Sequence, residues 1–203
     1  MNFNSLKTKL FFIFGTLFLA NASCFAHPQI KAALGLYNSL FSGFLHPLLG
    51  LDHLLAMIAV GLIGYEMGNK WRYILPASFL IFMTVGGVIG VSFQIFSFAE
   101  TGILLSLVSL GLFLIFKNYF LKEHFNKIVI LTSIILFSFC HGHAHGNEMI
   151  LGTSSLAYFA GFLLTTSLLH GFGFFIGKLS GNFLKGIVTK VIGGVLVFGP
   201  FFI

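Results

Sequence analysis

Long apolar stretches separated by short polar breaks dominate this chain from residue 51 onward. A helix needs about 20 apolar residues to cross a bilayer. The stretches of suitable length are 51–68, 73–96, 100–116, 128–143, 153–177 and 183–202. No internal repeat or second domain interrupts them. The pattern therefore predicts an all-α, polytopic membrane protein with six transmembrane helices.

The N-terminal segment has a different pattern. Residues 1–26 begin with basic residues, continue with an apolar run over 10–20, and end in small residues before Ala26. These are the three parts of a cleavable secretory signal peptide. The mature chain would then be 27–203, one integral membrane domain. The alternatives are an uncleaved first span and a lipid-modified Cys24.

Residues 30–45 are apolar but include an asparagine and two serines, and they are too short to cross a bilayer. We predict a short re-entrant or interfacial helix that leads to His46. Pro47 and Gly50 should then break the helix. Broken helices at membrane depth are tolerated where they line a cavity.

Composition supports a membrane protein: 57% of the residues are hydrophobic, 8% are charged, and the mean hydropathy is +1.01. A soluble domain usually has about 25% charged residues. The net charge of +6 comes from scattered residues that build no basic face, which argues against nucleic-acid binding. Cleavage of the signal peptide would leave one cysteine and no disulfide framework.

The basic residues predict the orientation. With an exterior N-terminus and six spans, Lys31 alone lies outside and eight basic residues lie inside, as the positive-inside rule requires. This gives a bacterial cytoplasmic (inner) membrane protein with a periplasmic mature N-terminus. Glu66 should pair with Lys70, four residues further on. The eight interior residues are Lys70, Arg72, Lys117, Lys122, Lys127, Lys178, Lys185 and Lys190.

The first group of chemically active residues is His46, Asp52 and His53. Ionisable groups in an apolar run are expensive unless they have a partner. Imidazole and carboxylate together suit nickel, zinc, copper and iron. Asp52 could instead orient a histidine ring, or it could cap the helix that follows, with His53 at the interface.

The second group is the segment 141–148, which reads HGHAHGNE. His141 and His145 share a helix face if the helix continues, and Glu148 lies near that face. Short histidine-rich tracts commonly bind metal. The alternative is a polar exterior loop that happens to be rich in histidine.

Two single residues are further candidates. Glu100, at the outer side, either gathers cations or is a first-turn carboxylate favoured by the helix dipole. His170, deep in the fifth span, is either a proton relay or a histidine bonded to a neighbouring helix.

Segments 46–53 (His-Pro-x-x-Gly-x-Asp-His) and 141–148 (His-Gly-His-Ala-His-Gly-x-Glu) resemble the two signatures of the HupE/UreJ family. The signal peptide, the size and the number of spans are also similar. The resemblance implies a nickel or cobalt permease linked to hydrogenase and urease maturation. It also implies that Phe79 shapes the transport path. The positions matching the family's functional polar residues are His46, Asp52, His53, Glu100, His145 and Glu148.

Together these features predict a secondary permease, not an enzyme, with 27–203 as its transport domain. It would take up nickel (or cobalt) as substrate, with no permanently bound cofactor, and hydrogenase or urease maturation factors are expected partners. No G-x-x-x-x-G-K-[ST] motif for ATP binding occurs in the sequence. The rivals are a membrane-anchored periplasmic metal chaperone or sensor and a histidine-box di-metal oxidase. Predicted metal ligands are His46, Asp52, His53, Glu100, His141, His145 and Glu148, with Phe79 and His170 along the path.

Overall fold

The computed structural model describes residues 36–93, 99–120, 124–147, 149, 154–180 and 186–199, and every regular element within these ranges is a helix. The predicted signal peptide, 1–26, lies outside the described residues. The helices are α1 (Leu36–Leu49), α2 (Leu51–Met67), α3 (Trp71–Ser92), α4 (Ala99–Ile115), α5 (Lys117–Phe120), α6 (His124–Asn147), α7 (Ser155–Leu179) and α8 (Ile187–Phe198).

Each of the six predicted apolar stretches overlaps one helix: α2, α3, α4, α6, α7 or α8. Among the described residues, α3, α7 and the 126–147 part of α6 are each long and apolar enough to cross a membrane. Helices α1 and α2 pass the same test together, as a pair bent by 82°. The all-helical architecture is confirmed, with three candidate spans or four if the bent pair counts as one. The six spans stay a prediction, because α4 and α8 are shorter.

Around an apolar core, the helices also expose many large apolar side chains and bury several polar ones. On α3, Ile81, Val85 and Val88 are exposed at spacings that place them on one face. Thr165 and His170 of α7 are buried. Soluble proteins have the opposite arrangement. The distribution therefore fits a helical bundle surrounded by lipid.

Helix α2 lies at the centre of the bundle. It packs mainly against α7 and α3, and it also contacts α4. A methyl group at Gly61 of α2 would overlap the carbonyl oxygen of His170, and one at Gly173 of α7 would overlap that of Ile58. The two backbones are therefore in direct contact, a packing that only small residues permit in membrane proteins.

Helices α3 and α6 form the most extensive helix pair. A methyl group at Gly142 would overlap the carbonyl oxygen of Met83, and one at Gly86 would overlap that of Phe139. Glycines on both helices thus allow their backbones to touch. This contact fixes the position of the histidines that α6 carries.

Two predicted boundaries differ from the structure. Helix α1 continues through Pro47 and ends at Leu49, so only Gly50, which has an extended backbone (φ −93°, ψ 118°), breaks the chain direction. Helix α6 runs to Asn147 rather than ending at 143. The alternative of an exterior loop is therefore wrong for 141–147, where the helix continues because its glycines pack against α3.

The predicted pair of Glu66 with Lys70 is also wrong. Helix α2 ends at Met67, so the four-residue spacing does not continue along a helix. Glu66 instead accepts a hydrogen bond from Lys117 Nζ at 2.8 Å and one from the Thr189 hydroxyl at 3.3 Å. These contacts join α2, the start of α5 and α8 at one end of the bundle, which we call the basic end.

Candidate metal centre

The bend at Gly50 brings two histidines together. In one straight helix, residues seven apart would lie about 10 Å apart along the axis. Across the 82° bend, the ring centroids of His46 and His53 are 5.9 Å apart. The break between α1 and α2 therefore makes a corner at which both imidazoles meet.

His145, near the end of α6, completes this corner. Its ring centroid is 4.5 Å from that of His46 and 4.5 Å from that of His53. One ligand nitrogen from each of the three residues lies within 4.8 Å of the others. We call them the three-histidine group. Such a set of imidazole nitrogens suits a transition-metal ion.

Asp52 orients a member of this group. Its Oδ1 accepts a hydrogen bond from His53 Nδ1 at 2.8 Å. Because a carboxylate only accepts, Nδ1 carries a proton, and in the neutral ring the lone pair is then on Nε2. The N-cap of α2 is Gly50, and Asp52 lies inside the first turn, so the alternative in which Asp52 caps this helix is wrong. A Cβ atom added at Gly50 would lie 2.9 Å from Asp52 Oδ1 and 2.9 Å from His53 Nδ1. A glycine at this position therefore leaves room for the hydrogen bond.

Two other histidines show the same pattern. His141 Nδ1 donates to the carbonyl oxygen of Phe137 at 3.0 Å, and His170 Nδ1 donates to that of Met57 at 2.8 Å. The Nε2 atoms of His53, His141 and His170 are buried and have no hydrogen-bond partner among the described residues. Metal-binding histidines typically donate one N–H to an oxygen in this way and keep the other nitrogen for the ion.

His141 and Phe79 extend the centre toward α7. The His141 ring lies 5.3 Å from His53 by centroids, but it does not join the three-histidine group. Phe79, which is fully buried, lies 5.8 Å from the His141 ring and 5.3 Å from the His170 ring. A continuous row of rings therefore leads from the three-histidine group through His141 and Phe79 to His170.

Among the predicted carboxylates, Asp52 is the one that the described residues place at this centre. The structure describes only the helical backbone of Glu100, at the start of α4, and Glu148 lies outside the described residues. His143, inside the second motif, faces elsewhere: its Nε2 lies 3.2 Å from the carbonyl oxygen of Phe93. The presence of a histidine in the second motif therefore does not by itself show that it belongs to the centre.

Sequence reasoning missed two aromatic residues of α7 at the three-histidine group. The Phe162 ring lies 4.9 Å from that of His145, and the Tyr158 ring lies 6.0 Å from that of His46. Their spacing of four residues places them on one helix face. The chain has 28 phenylalanines, so this signal does not stand out from the many lipid-facing rings.

Known proteins match this chain over a range that includes both motifs. The family model described as HupE / UreJ protein matches residues 15–201. Protein HupE of Rhizobium leguminosarum bv. viciae is 35% identical over 176 residues, covering 84% of this chain and 88% of that protein. No solved structure matches the chain.

Proposed function

This chain belongs to the HupE/UreJ family, and we propose that it is a permease that carries nickel or cobalt ions inward across the bacterial cytoplasmic membrane. The ions would supply the maturation of hydrogenase or urease, the processes with which the family is linked. The metal is the transported substrate in this proposal, and no resident cofactor is needed.

The three-histidine group is the observation that carries the proposal. It places His53 and His145 in the interior of a bundle whose outer surface is apolar. Ionisable residues at such a position usually mark the path of an ion. A small set of imidazole ligands can replace part of the hydration shell and still release the ion, as transport requires.

The direction of transport follows from the two ends of the bundle. His53 lies near the start of α2, and Glu66 with its partner Lys117 lies near its end, about 20 Å further along the helix. We assign the basic end to the cytoplasm by the positive-inside rule. The ion then enters at the end of the bundle that holds the three-histidine group, where we propose that Glu100 and Glu148 gather cations.

Selectivity cannot come from ligand type alone. Nitrogen sites bind copper more tightly than nickel. We therefore propose that the rigid corner between α1 and α2 selects the ion by geometry, with the Asp52 carboxylate holding one ligand in place.

Uptake of radioactive nickel into proteoliposomes that contain the purified protein tests the proposal. We expect accumulation by the wild type, competition by cobalt, and a loss of at least about tenfold for His145→Ala. His143→Gln is the matched control, because His143 lies two residues away on α6 and its Nε2 contacts a carbonyl oxygen outside the group. The glutamine amide can keep that contact, so its uptake should equal that of the wild type.

Wild-type liposomes that accumulate no nickel would overturn the permease. If the protein still bound nickel, the result would instead favour a membrane-bound metal chaperone or sensor. Equal losses in His145→Ala and His143→Gln would show that the three-histidine group has no special role.

A further inference from the structure

A cleft lies on the outside of the bundle, between the first half of α3 and the second half of α7. It has a volume of about 260 Å³, and Pro76 and Leu80 line it from α3 while Gly171 and Phe174 line it from α7. Helix α2 packs against both walls, and its Tyr65 ring lies 5.3 Å from the Phe174 ring. Gly171 is exposed, and nothing lies within 4 Å of a Cβ atom added to it. The cleft is therefore closed toward α2 and open toward the surroundings of the bundle.

The inner part of the cleft is apolar. Ser167 and His170 also line it, but both direct their hydrogen bonds elsewhere. The Ser167 hydroxyl donates to the carbonyl oxygen of Leu163 at 2.7 Å. His170 Nδ1 donates to that of Met57 at 2.8 Å, and its Nε2 is buried. In a membrane such a cleft is filled by hydrocarbon, because an empty one would leave its walls without packing contacts.

Arg72 lies at the basic end of the cleft and lines it. It is in the first turn of α3, two residues after Lys70, and its Nε donates to the Asn69 carbonyl oxygen at 3.0 Å. Among the described residues, no carboxylate pairs with the Arg72 guanidinium. Tyr73 beside it also lines the cleft and is 71% exposed, as is typical of tyrosines at a membrane surface. A guanidinium at this place suits a phosphate group, to which it can donate two parallel hydrogen bonds.

The length of the cleft matches one leaflet of a bilayer. Arg72 and Leu80 are eight residues apart on α3, which is about 12 Å along the helix axis. One leaflet contributes about 15 Å to the hydrocarbon core. With Arg72 at the level of the head groups, Leu80 therefore lies near the middle of the membrane, where acyl chains end.

We propose that this cleft binds an anionic phospholipid, with its phosphate at Arg72 and one acyl chain between α3 and α7. The positive charge complements the phosphate, and the apolar lining complements the chain. Basic pockets between transmembrane helices on the cytoplasmic side hold such head groups in other membrane proteins. The inference goes beyond the proposed function, because it requires only that the chain spans a membrane and does not depend on the transported ion.

Two variants separate the head group from the acyl chain. Arg72→Gln removes the charge, and Gly171→Leu places a side chain in the open space of the cleft. The matched controls are Lys190→Gln, which removes an exposed charge of α8 near the basic end, and Gly194→Leu, which adds a side chain to α8 where nothing lies within 4 Å of the Cβ atom. Neither control residue lines the cleft.

Native mass spectrometry of the full-length protein in detergent measures the affinity for the first bound lipid. We expect the wild type to bind phosphatidylglycerol at least about fivefold more tightly than phosphatidylcholine with the same acyl chains. Arg72→Gln should remove this preference, and Gly171→Leu should weaken the binding of both lipids. Lys190→Gln and Gly194→Leu should match the wild type. Inorganic phosphate at the concentration of the lipid should not displace it.

Equal wild-type affinities for the two lipids overturn the proposal. Unchanged phosphatidylglycerol binding in Arg72→Gln also overturns it, since the phosphate would then lie elsewhere, and unchanged binding in Gly171→Leu excludes the cleft. Displacement by inorganic phosphate would show a site for free phosphate instead of a lipid. If Arg72→Gln does not fold, the wild-type preference and Gly171→Leu decide. The measurement contains no nickel, so failure of the permease proposal would leave its result unchanged.

Discussion

At the residue scale, in three of the histidines a contact with an oxygen decides which of the two ring nitrogens is left for a metal ion. His53, His141 and His170 each donate Nδ1–H to an oxygen, which in the neutral ring places the lone pair on Nε2. Only His53 uses a carboxylate for this purpose. A charged acceptor both fixes the ring and makes the other nitrogen a stronger ligand.

The substitution Asp52→Asn tests this role without changing a ligand. The asparagine can turn its amide toward His53 and donate to Nδ1, which would move the proton to Nε2. We expect nickel affinity to fall by about 10- to 100-fold in equilibrium dialysis. Glu66→Gln is the matched control, since it neutralises another carboxylate of α2 whose partners are Lys117 and Thr189. Equal affinities in Asp52→Asn and the wild type would contradict the role.

The sequence predicted much of the centre at this scale, because two motifs concentrate its histidines. It selected His145 and not His143, but it could not show that His141 lies outside the three-histidine group, because this depends on how α6 packs against the corner. It could not select Phe162 either, because a buried ring on α7 and a lipid-facing one have the same local sequence pattern.

At the scale of helices, backbone contact at glycine positions holds the centre in place. Helix α6 carries His141 and His145, and its glycines lie directly against the backbone of α3. The α6 histidines therefore cannot shift relative to Phe79 of α3 without separating this pair.

The substitution Gly142→Ala should destabilise the protein by about 1–3 kcal/mol, because the added methyl group would overlap the Met83 carbonyl oxygen. Gly171→Ala is the control, since nothing lies within 4 Å of its added Cβ atom. An alanine inside a helix should stabilise that site by about 0.5–1 kcal/mol. Thermal unfolding in detergent measures both. The same unfolding temperature for both variants would mean that the α3–α6 contact is not tight.

Hydropathy alone located the helices but not all of their ends. The predicted end of α6 at 143 was wrong because glycine, histidine and asparagine count as polar or helix-breaking, although here they are buried against another helix. The break near Gly50 was predicted, but its 82° angle depends on how α1 packs against α7. Thr165 of α7 donates to the Phe44 carbonyl of α1 at 2.6 Å, a contact that local sequence does not reveal.

At the scale of the whole molecule, the three-histidine group and the basic end lie at opposite ends of the bundle. The positive-inside rule then predicts which end faces the cytoplasm. The number of spans follows less directly, because α4 and α8 are shorter than the other apolar helices.

Cysteine labelling tests the orientation. In a background with Cys24→Ser and Cys140→Ser, Tyr119→Cys at the basic end and Leu156→Cys at the start of α7 replace side chains that are 72% and 84% exposed. A membrane-impermeant maleimide added to intact spheroplasts should label Leu156→Cys, and inverted vesicles should allow labelling of Tyr119→Cys. Labelling of both from one side would contradict the predicted topology.

Because the chain bends at Gly50, the distance between His46 and His53 depends on the angle between α1 and α2. His46 is four residues before the hinge, a lever arm of about 6 Å along the helix axis. A rotation of about 20° would move His46 by about 2 Å, roughly ten times the tolerance of a metal–ligand distance. A change of this size would take His46 out of coordination distance, so binding at the corner requires that the angle at Gly50 stays fixed.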